Sequence, residues 1–202
     1  GDISDELFGG YRGLKDAPNS ISFFEENCKL MKNIHYFDVL RSDRCISGHG
    51  LEARLPFSDK ELINYVMNIS PMYKMTTKDR IEKYLLRKAF ENELPHEIVW
   101  RPKTAFSDGV SSTESPLYVQ LQNAINKNIT DAEFTMYNNK IRHNKPYDKE
   151  SLYYRQVFDS FFPYKEYVIP YYWKQPFSKS LDPSAWSLDT STNNETNTSY
   201  KN

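Results

Sequence analysis

Apolar positions along this chain recur every three or four residues, the spacing of helices that pack on one face, and hardly ever alternate as strand positions do. Leu30, Ile34 and Phe37 make one such stripe, and the pattern predicts a long helix from Ile21 to Ser47, stopped by Gly48 and Gly50. A second helix is expected from Asp59 to Ile69, ended by Pro71, and a third from Thr77 to Asn92 with Ile81, Leu85 and Ala89 inward. Weaker helical patterns cover Pro116 to Asn126 and Lys149 to Phe161, the latter carrying Tyr154, Phe158 and Phe161. Ser22-Phe-Phe-Glu25 and Ser58-Asp-Lys-Glu61 both fit a capping box, in which hydroxyl and carboxylate each satisfy a free backbone group at a helix start. Ser115-Pro116 sets a cap before a proline suited to the first helical position.

Strand signals are nearly absent: Val168-Ile169 runs into Pro170, and Val110-Ser111-Ser112 reads as loop. The chain is therefore expected to be mainly α-helical. From Ser178 onward the composition turns to Ser, Thr, Asn and Asp, with Leu181, Trp186 and Leu188 isolated. Such a segment buries too little apolar area to offset its ordering, so a folded part over 1–177 and a disordered tail over 178–202 are expected. No internal repeat is visible.

The opening segment, Gly1-Asp2-Ile3-Ser4-Asp5-Glu6-Leu7-Phe8-Gly9-Gly10-Tyr11, reads as too polar for a core strand and too Gly-rich for a stable helix. Carboxylates among glycines suit a loop that meets a phosphate, a metal or a proton, although a surface acidic turn explains the same residues. A chain that opens inside such a loop, without an initiator methionine, is expected to be a piece of a longer one.

Bulk properties narrow the function classes. The chain has 202 residues, enough for one sizeable domain, and a net charge of −1 that points to neither nucleic acid nor an anionic membrane. No run is long and apolar enough for a membrane span, and no signal segment opens the chain. Cys28 and Cys45 are expected to be reduced, about 25 Å apart on the one long helix, in a cytoplasmic protein. The 15 tyrosines and 12 phenylalanines, many of them between Tyr137 and Phe177, are read as packing residues.

Several charged sets remain as candidates for chemistry. Arg80, Lys83 and Arg87 would share a face of the third helix, opposed in part by Asp79, Glu82 and Glu91. That is a solvated basic face or, with the loop Arg101-Pro-Lys103 through Gly109 beside it, an anion site. Asp38 and Arg41 stand one turn apart with Ser42 and Cys45 on the adjoining face, as a local ion pair. Glu52 and Arg54 read as a pair bracing the following loop. His35, His49, His96 and His143 show no metal spacing, and neither a Walker-type loop nor a serine elbow is present.

Taken together, Gly1 through Tyr11, Ala17-Pro18-Asn19, Gly50-Leu51-Glu52-Ala53-Arg54-Leu55-Pro56-Phe57, Ile81-Glu82-Lys83 and Trp100-Arg-Pro-Lys103 through Phe106-Ser-Asp-Gly109 resemble the synthetase domain of glutamine-hydrolysing asparagine synthetases. The order and spacing agree from Gly1 to about Phe162, and Asp182-Pro183-Ser184 resembles part of the family's end. The resemblance implies that 1–177 is the helical C-terminal part of an α/β ATP-pyrophosphatase domain. It implies asparagine biosynthesis: ATP and Mg2+ convert aspartate to a β-aspartyl-adenylate, which ammonia from glutamine, released in a separate glutaminase domain, then attacks.

Position by position, it implies that Gly1 contacts nucleotide, that Asp2 faces the aspartyl-adenylate and that Asp5 faces magnesium. Lys83 and Lys103 would meet pyrophosphate, Lys103 near the reacting centre, and Asp38 with Arg41 would line the aspartate side. Asp2 departs from the family's glutamate by one methylene, and Ile3 replaces a glycine, so a different backbone turn is expected there. Lacking the family's Ser-Gly-Gly-x-Asp-Ser loop and nucleophilic cysteine, this chain is expected to be inactive alone. A homodimer is left open, a β-lactam synthetase is the rival within the enzyme class, and a non-catalytic interaction remnant is the rival outside it.

Overall fold

The polar, glycine-flanked opening folds as a helix rather than a loop. The computed structural model describes residues 2–104, 117–174 and 176–177, and among them there are helices and turns but no strand, as the spacing predicts. The first helices are α1 (Ser4–Phe8), α2 (Ser20–Asn33), α3 (Asp38–Ser47), α4 (Lys60–Asn68), α5 (Pro71–Lys74), α6 (Tyr84–Ala89) and α7 (His96–Val99). They are followed by α8 (Leu117–Asn128), α9 (Asp131–Lys140) and α10 (Lys149–Phe161). Gly1, the Ser115-Pro116 cap, the loop after Thr104 and the tail over 178–202 lie outside the described residues.

Two compact units result, one of residues up to Lys103 with Trp173 and its neighbours, the other of Thr104–Tyr172. In the first, α1 is the centre. Leu7 and Phe8 are buried with Ile3 and Val66, and Met31, Ile34, Val39, Phe57 and Leu85 pack around them. A glycine ends so short a helix: Gly9 closes α1 at φ 67°, a left-handed cap that costs glycine little. Asn27 of α2, fully buried, donates its Nδ2 to the Glu6 carbonyl at 2.5 Å and ties α1 down. A second cluster joins Leu14, Phe23 and Leu30 with Trp173. In the other unit Ile125, Ile129 and Leu152 join α8 and α10, and a Thr130–Glu133 capping box starts α9.

The structure corrects several expectations. The long first helix is two, because a 3-10 turn over Ile34–Tyr36 and the non-helical Phe37 (φ −124°, ψ −110°) divide it. The division lets Leu30 enter the cluster with Phe23 while Ile34 and Val39 enter the one with Leu7. Cys28 and Cys45 therefore lie on different helices, both exposed as free thiols. Asn19, not Ser22, caps α2, and Asp59, not Ser58, caps α4, each through its side chain to the backbone N–H three residues on. Pro71 starts α5 as well as ending the helix before it. The third helix is confined to Tyr84–Ala89, since Thr77 and Arg80 pair in a tight turn and Lys83 has left-handed backbone at φ 58°. Arg80, Lys83 and Arg87 thus do not share a helix face. The packing role given to the tyrosines fails for several, with Tyr164 92% and Tyr167 70% exposed.

Lys74, at the end of α5, is fully buried, and its Nζ donates to the Val66 carbonyl at 3.0 Å. Burial pushes its ammonium below the usual lysine value. The folded chain then binds fewer protons than the unfolded one between that lowered value and 10.5, so stability rises with pH across this window. Lys74→Met, which keeps the stem, is expected to stabilise the chain at pH 7, with the gain shrinking toward pH 10 in urea unfolding. An equal gain at both pH values would show that the charge is not what costs stability there.

Candidate functional site

Two adjacent carboxylates on α1, Asp5 and Glu6, face two different polar clusters, and every described candidate residue lies in or beside one of them. Asp5 holds a pair of lysines distant in sequence. Lys83 Nζ is 3.0 Å from Asp5 Oδ1, and Lys103 Nζ is 2.9 Å from both carboxylate oxygens. Lys83 also donates to Ser4 Oγ at 2.9 Å. All three charged groups are largely withdrawn from solvent, with 17–25% of each side chain exposed. Burial pushes the Lys83 ammonium below its ordinary value, opposed by Asp5 and reinforced by Lys103 and Arg87. Two cations and one anion leave a partly buried excess of positive charge, which favours a bound anion.

The backbone is bent to build this cluster. Lys83 carries φ 58° and Ile3 φ 74°, left-handed conformations that cost a residue with a Cβ about 1–3 kcal/mol. Ile3 therefore takes left-handed backbone, which a β-branched residue ordinarily resists. Its side chain is buried with Leu7, Phe8 and Val66, and that packing holds it there.

Lys103 is placed by a bracket of Glu82 and Arg87, whose charges the sequence leaves open between a solvated basic face and an anion site. Its backbone N–H donates to Glu82 Oε1 at 2.8 Å, and the same carboxylate takes Arg87 Nη2 at 2.7 Å. Arg87 further donates to the carbonyls of Glu82 and Arg101, each at 2.8 Å, and of Val99. Arg12 reaches the Lys103 carbonyl at 3.4 Å.

The second cluster begins at Glu6, only 3% exposed. The Tyr11 hydroxyl lies 2.5 Å from Glu6 Oε1 and 2.7 Å from Asp38 Oδ2, and Asp38 Oδ1 is 3.0 Å from Arg41 Nη2. Burial pushes the Glu6 carboxyl upward, and burial with the two carboxylates pushes the Tyr11 hydroxyl upward too. Asp2 joins the same helix, its Oδ2 accepting from Ser42 Oγ of α3 at 2.7 Å. The structure thus brings Asp5, Lys83 and Lys103 together, and separately Asp38 and Arg41, with Asp2 tied to α3. Glu6 and Tyr11 were missed as partners of Asp38, a contact across 27 residues with no local signature. Glu52 and Arg54 do pair at 2.8 Å, but both are about four-fifths exposed and brace nothing.

No group of three or more metal-ligating side chains gathers among the described residues. Asp5 is a single carboxylate between two cations that suit phosphate. Both of its oxygens are taken by lysine ammonium groups, so the described residues do not by themselves fit a magnesium ion at Asp5.

Gly10 closes the lysine cluster. A Cβ there would fall 2.0 Å from Asp5 Oδ1 and 2.2 Å from Lys83 Cε. Both atoms end flexible side chains, so Gly10→Ala should displace the Asp5–Lys83 pair while lowering thermal stability only modestly. The lysine ammonium signals in NMR test this: unchanged Lys83 and Lys103 resonances would refute the assigned crowding.

A family model described as asparagine synthase matches residues 18–189. A probable glutamine-hydrolysing asparagine synthetase of Acanthamoeba polyphaga mimivirus is 42% identical over 187 residues, covering 92% of this chain. The glutamine-hydrolysing asparagine synthetase of Gallus gallus is 42% identical over 190 residues (93% of this chain), and one from Lotus japonicus is 41% identical over 205 (91% of this chain). In each case the match covers 34% of the relative, so the chain spans about a third of the length of the curated proteins it matches.

Proposed function

The chain belongs to the asparagine synthase family, and we propose that it supplies the aspartate-holding and pyrophosphate-holding residues of an ATP-dependent amidation of aspartate. The observation that carries this reading is α1 itself, whose neighbouring residues Asp5 and Glu6 tie a two-lysine anion site to an Asp38–Arg41 charge pair. The reaction needs both halves. Aspartate is a zwitterion whose charges suit a carboxylate and a guanidinium, and pyrophosphate is a polyanion that suits two ammonium groups.

In this reading a side-chain oxygen of aspartate attacks the α-phosphorus of ATP, the bond to the β-phosphate breaks, and pyrophosphate leaves. Ammonia from glutamine then attacks the acyl carbon, loses a proton and displaces AMP, giving asparagine. Arg41, 69% exposed and paired with Asp38 at 3.0 Å, turns to the substrate carboxylate in this reading, while Asp38 accepts from the substrate ammonium. Lys83 and Lys103, kept apart on Asp5, hold the charge that builds on the departing phosphates. Asp2, anchored by Ser42 of α3, is assigned the role of facing the adenylate and taking a proton. Magnesium carried in with ATP would neutralise phosphate charge, while Asp5 serves the two lysines.

The reading makes the chain the helical part of an α/β ATP-pyrophosphatase domain acting in the cytoplasm. The glutaminase function and the remaining nucleotide contacts lie in the two thirds of the relatives that it does not match. Aspartate- and ATP-dependent pyrophosphate release tests it, compared between residues 1–202 and the longest reading frame containing them. Release that depends on aspartate in the longer protein supports the reading. Release driven instead by a carboxyethyl-arginine-type substrate would place the chain with β-lactam synthetases, and robust turnover by 1–202 alone would refute the division of labour.

A further inference from the structure

The unit of Thr104–Tyr172 contributes none of the side chains assigned to the amidation, yet it holds a cavity of about 310 Å³. Its walls are largely aromatic. Tyr154 and Phe158, one turn apart on α10, both line it. Tyr147 and Tyr172 line it as an edge-to-face pair, with ring centroids 5.8 Å apart and planes at 82°. Ile169 is fixed at the wall by its backbone, since its carbonyl accepts from Asn144 Nδ2 at 2.8 Å and lies 2.7 Å from His143 Nε2. The space is therefore shaped before any ligand arrives, and it falls at the small end of the volumes that hold small molecules, about 300–1,000 Å³.

The charged groups give this aromatic cavity a sign. Asp148, Glu150 and Glu166 line it against one cation, Arg155. Arg155 is committed outside the cavity: its Nε is 2.9 Å from both Asp159 oxygens, and its Nη1 donates to the His143 carbonyl at 2.9 Å. Asp148 caps α10 by accepting from the Ser151 N–H at 2.7 Å, and Glu150 accepts from the Tyr154 hydroxyl at 3.3 Å. Glu166 differs. Its side chain is only 24% exposed, and its partner Arg155 Nη2 is 3.7 Å away, beyond hydrogen-bond distance, so its oxygens keep lone pairs that can accept from a ligand. We propose that this cavity binds a small protonated amine, whose ammonium donates to Glu166 while its apolar body lies against Tyr154, Phe158 and Ile169. Aromatic faces attract a cation as well as apolar surface, so the rings and the carboxylates select the same ligand. An anion would meet three like charges, and an uncharged molecule would gain nothing from them. None of these residues enters the amidation of aspartate, so the site stands or falls apart from it.

Three probes of similar size and different charge test the site: benzylamine, benzyl alcohol and benzoate, each titrated into the chain 1–202 and followed by 1H–15N NMR. Benzylamine is expected to give saturable shifts in the millimolar range at the backbone amides of Tyr154, Phe158 and Glu166. Benzyl alcohol is expected to bind about tenfold more weakly, the difference expected for one charge-assisted hydrogen bond, and benzoate not to bind. Glu166→Gln keeps the shape of the side chain and removes its charge. It is expected to weaken benzylamine about tenfold and to leave benzyl alcohol within about twofold of the parent. Tyr154→Ala, which removes a wall that both ligands use, is expected to weaken both. Equal affinities of the parent for benzylamine and benzyl alcohol overturn the proposal, because the cavity would then select only apolar surface. Benzoate that binds as tightly as benzylamine, no saturable benzylamine shift, or shifts confined to residues outside the cavity also overturn it. So does a benzylamine affinity that Glu166→Gln leaves unchanged. Should Glu166→Gln fail to fold, the comparison of the three probes on the parent chain decides.

Discussion

Lys103→Ala is expected to lower aspartate-dependent pyrophosphate release by about 10²–10³-fold at saturating substrates, with little change in thermal stability. The size follows from what the side chain does in the proposed reaction. Its ammonium is fixed 2.9 Å from both oxygens of Asp5 before any substrate arrives, so it meets developing phosphate charge without reorganising. Removing one preorganised electrostatic partner from such a site costs rates of this order. The small effect on folding follows from the backbone, because the Lys103 N–H still donates to Glu82 and Asp5 keeps Lys83. Lys103→Arg should restore only a small part of the loss, since a planar guanidinium cannot take the place of a point charge shared with Asp5. Steady-state pyrophosphate release with thermal unfolding as the companion measurement checks both. Retention of more than a tenth of parental turnover in folded Lys103→Ala would remove Lys103 from the reacting centre.

That prediction draws on residues that the sequence brought to notice for different reasons. The helical character of the chain was legible in the spacing of Leu30, Ile34, Leu85 and Phe158, because periodicity is a local property. Where helices end was not. Phe37 and Lys83 break predicted helices with backbone that no propensity foretells, and in each case distant packing compensates: Val39 into the Leu7 cluster, Lys83 onto Asp5.

The same division runs through the site. Family likeness drew attention to Asp2, Asp5, Asp38, Arg41, Lys83 and Lys103, but spacing alone could not set Lys103 against Asp5 across 98 residues. Glu6 escaped notice because its neighbours made α1 look like an acidic loop. In the fold it is buried, and its carboxylate meets the Tyr11 hydroxyl. Ile3 shows the limit from the other side. Steric rules argue against its φ of 74°, and burial enforces it.

Arg87→Leu is expected to destabilise the chain by about 3 kcal/mol and to reduce turnover further than the loss of stability explains. Arg87 is only 13% exposed and serves four oxygens at once: the Glu82 carboxylate and the carbonyls of Glu82, Val99 and Arg101. Leucine would fill much of the volume but leave the largely buried Glu82 carboxylate facing only the Lys103 N–H, together with carbonyls that lose their donor. Removing one partner of a largely buried ion pair costs about 3–5 kcal/mol, and the residual solvent contact of both side chains puts this pair at the lower end. Against a total stability of about 5–15 kcal/mol, that loss should be plain in the urea midpoint. The effect on turnover comes from geometry: Glu82 and Arg87 together hold the backbone from Val99 to Lys103, and the Lys103 ammonium is aimed at Asp5 from that backbone. A second substitution separates the two effects. Arg87→Leu with Glu82→Leu removes the stranded carboxylate and should recover part of the stability, yet turnover should stay low, because nothing then holds the Lys103 N–H. A double variant that recovers stability and turnover together would mean that the bracket serves only folding, and that Lys103 reaches Asp5 without it.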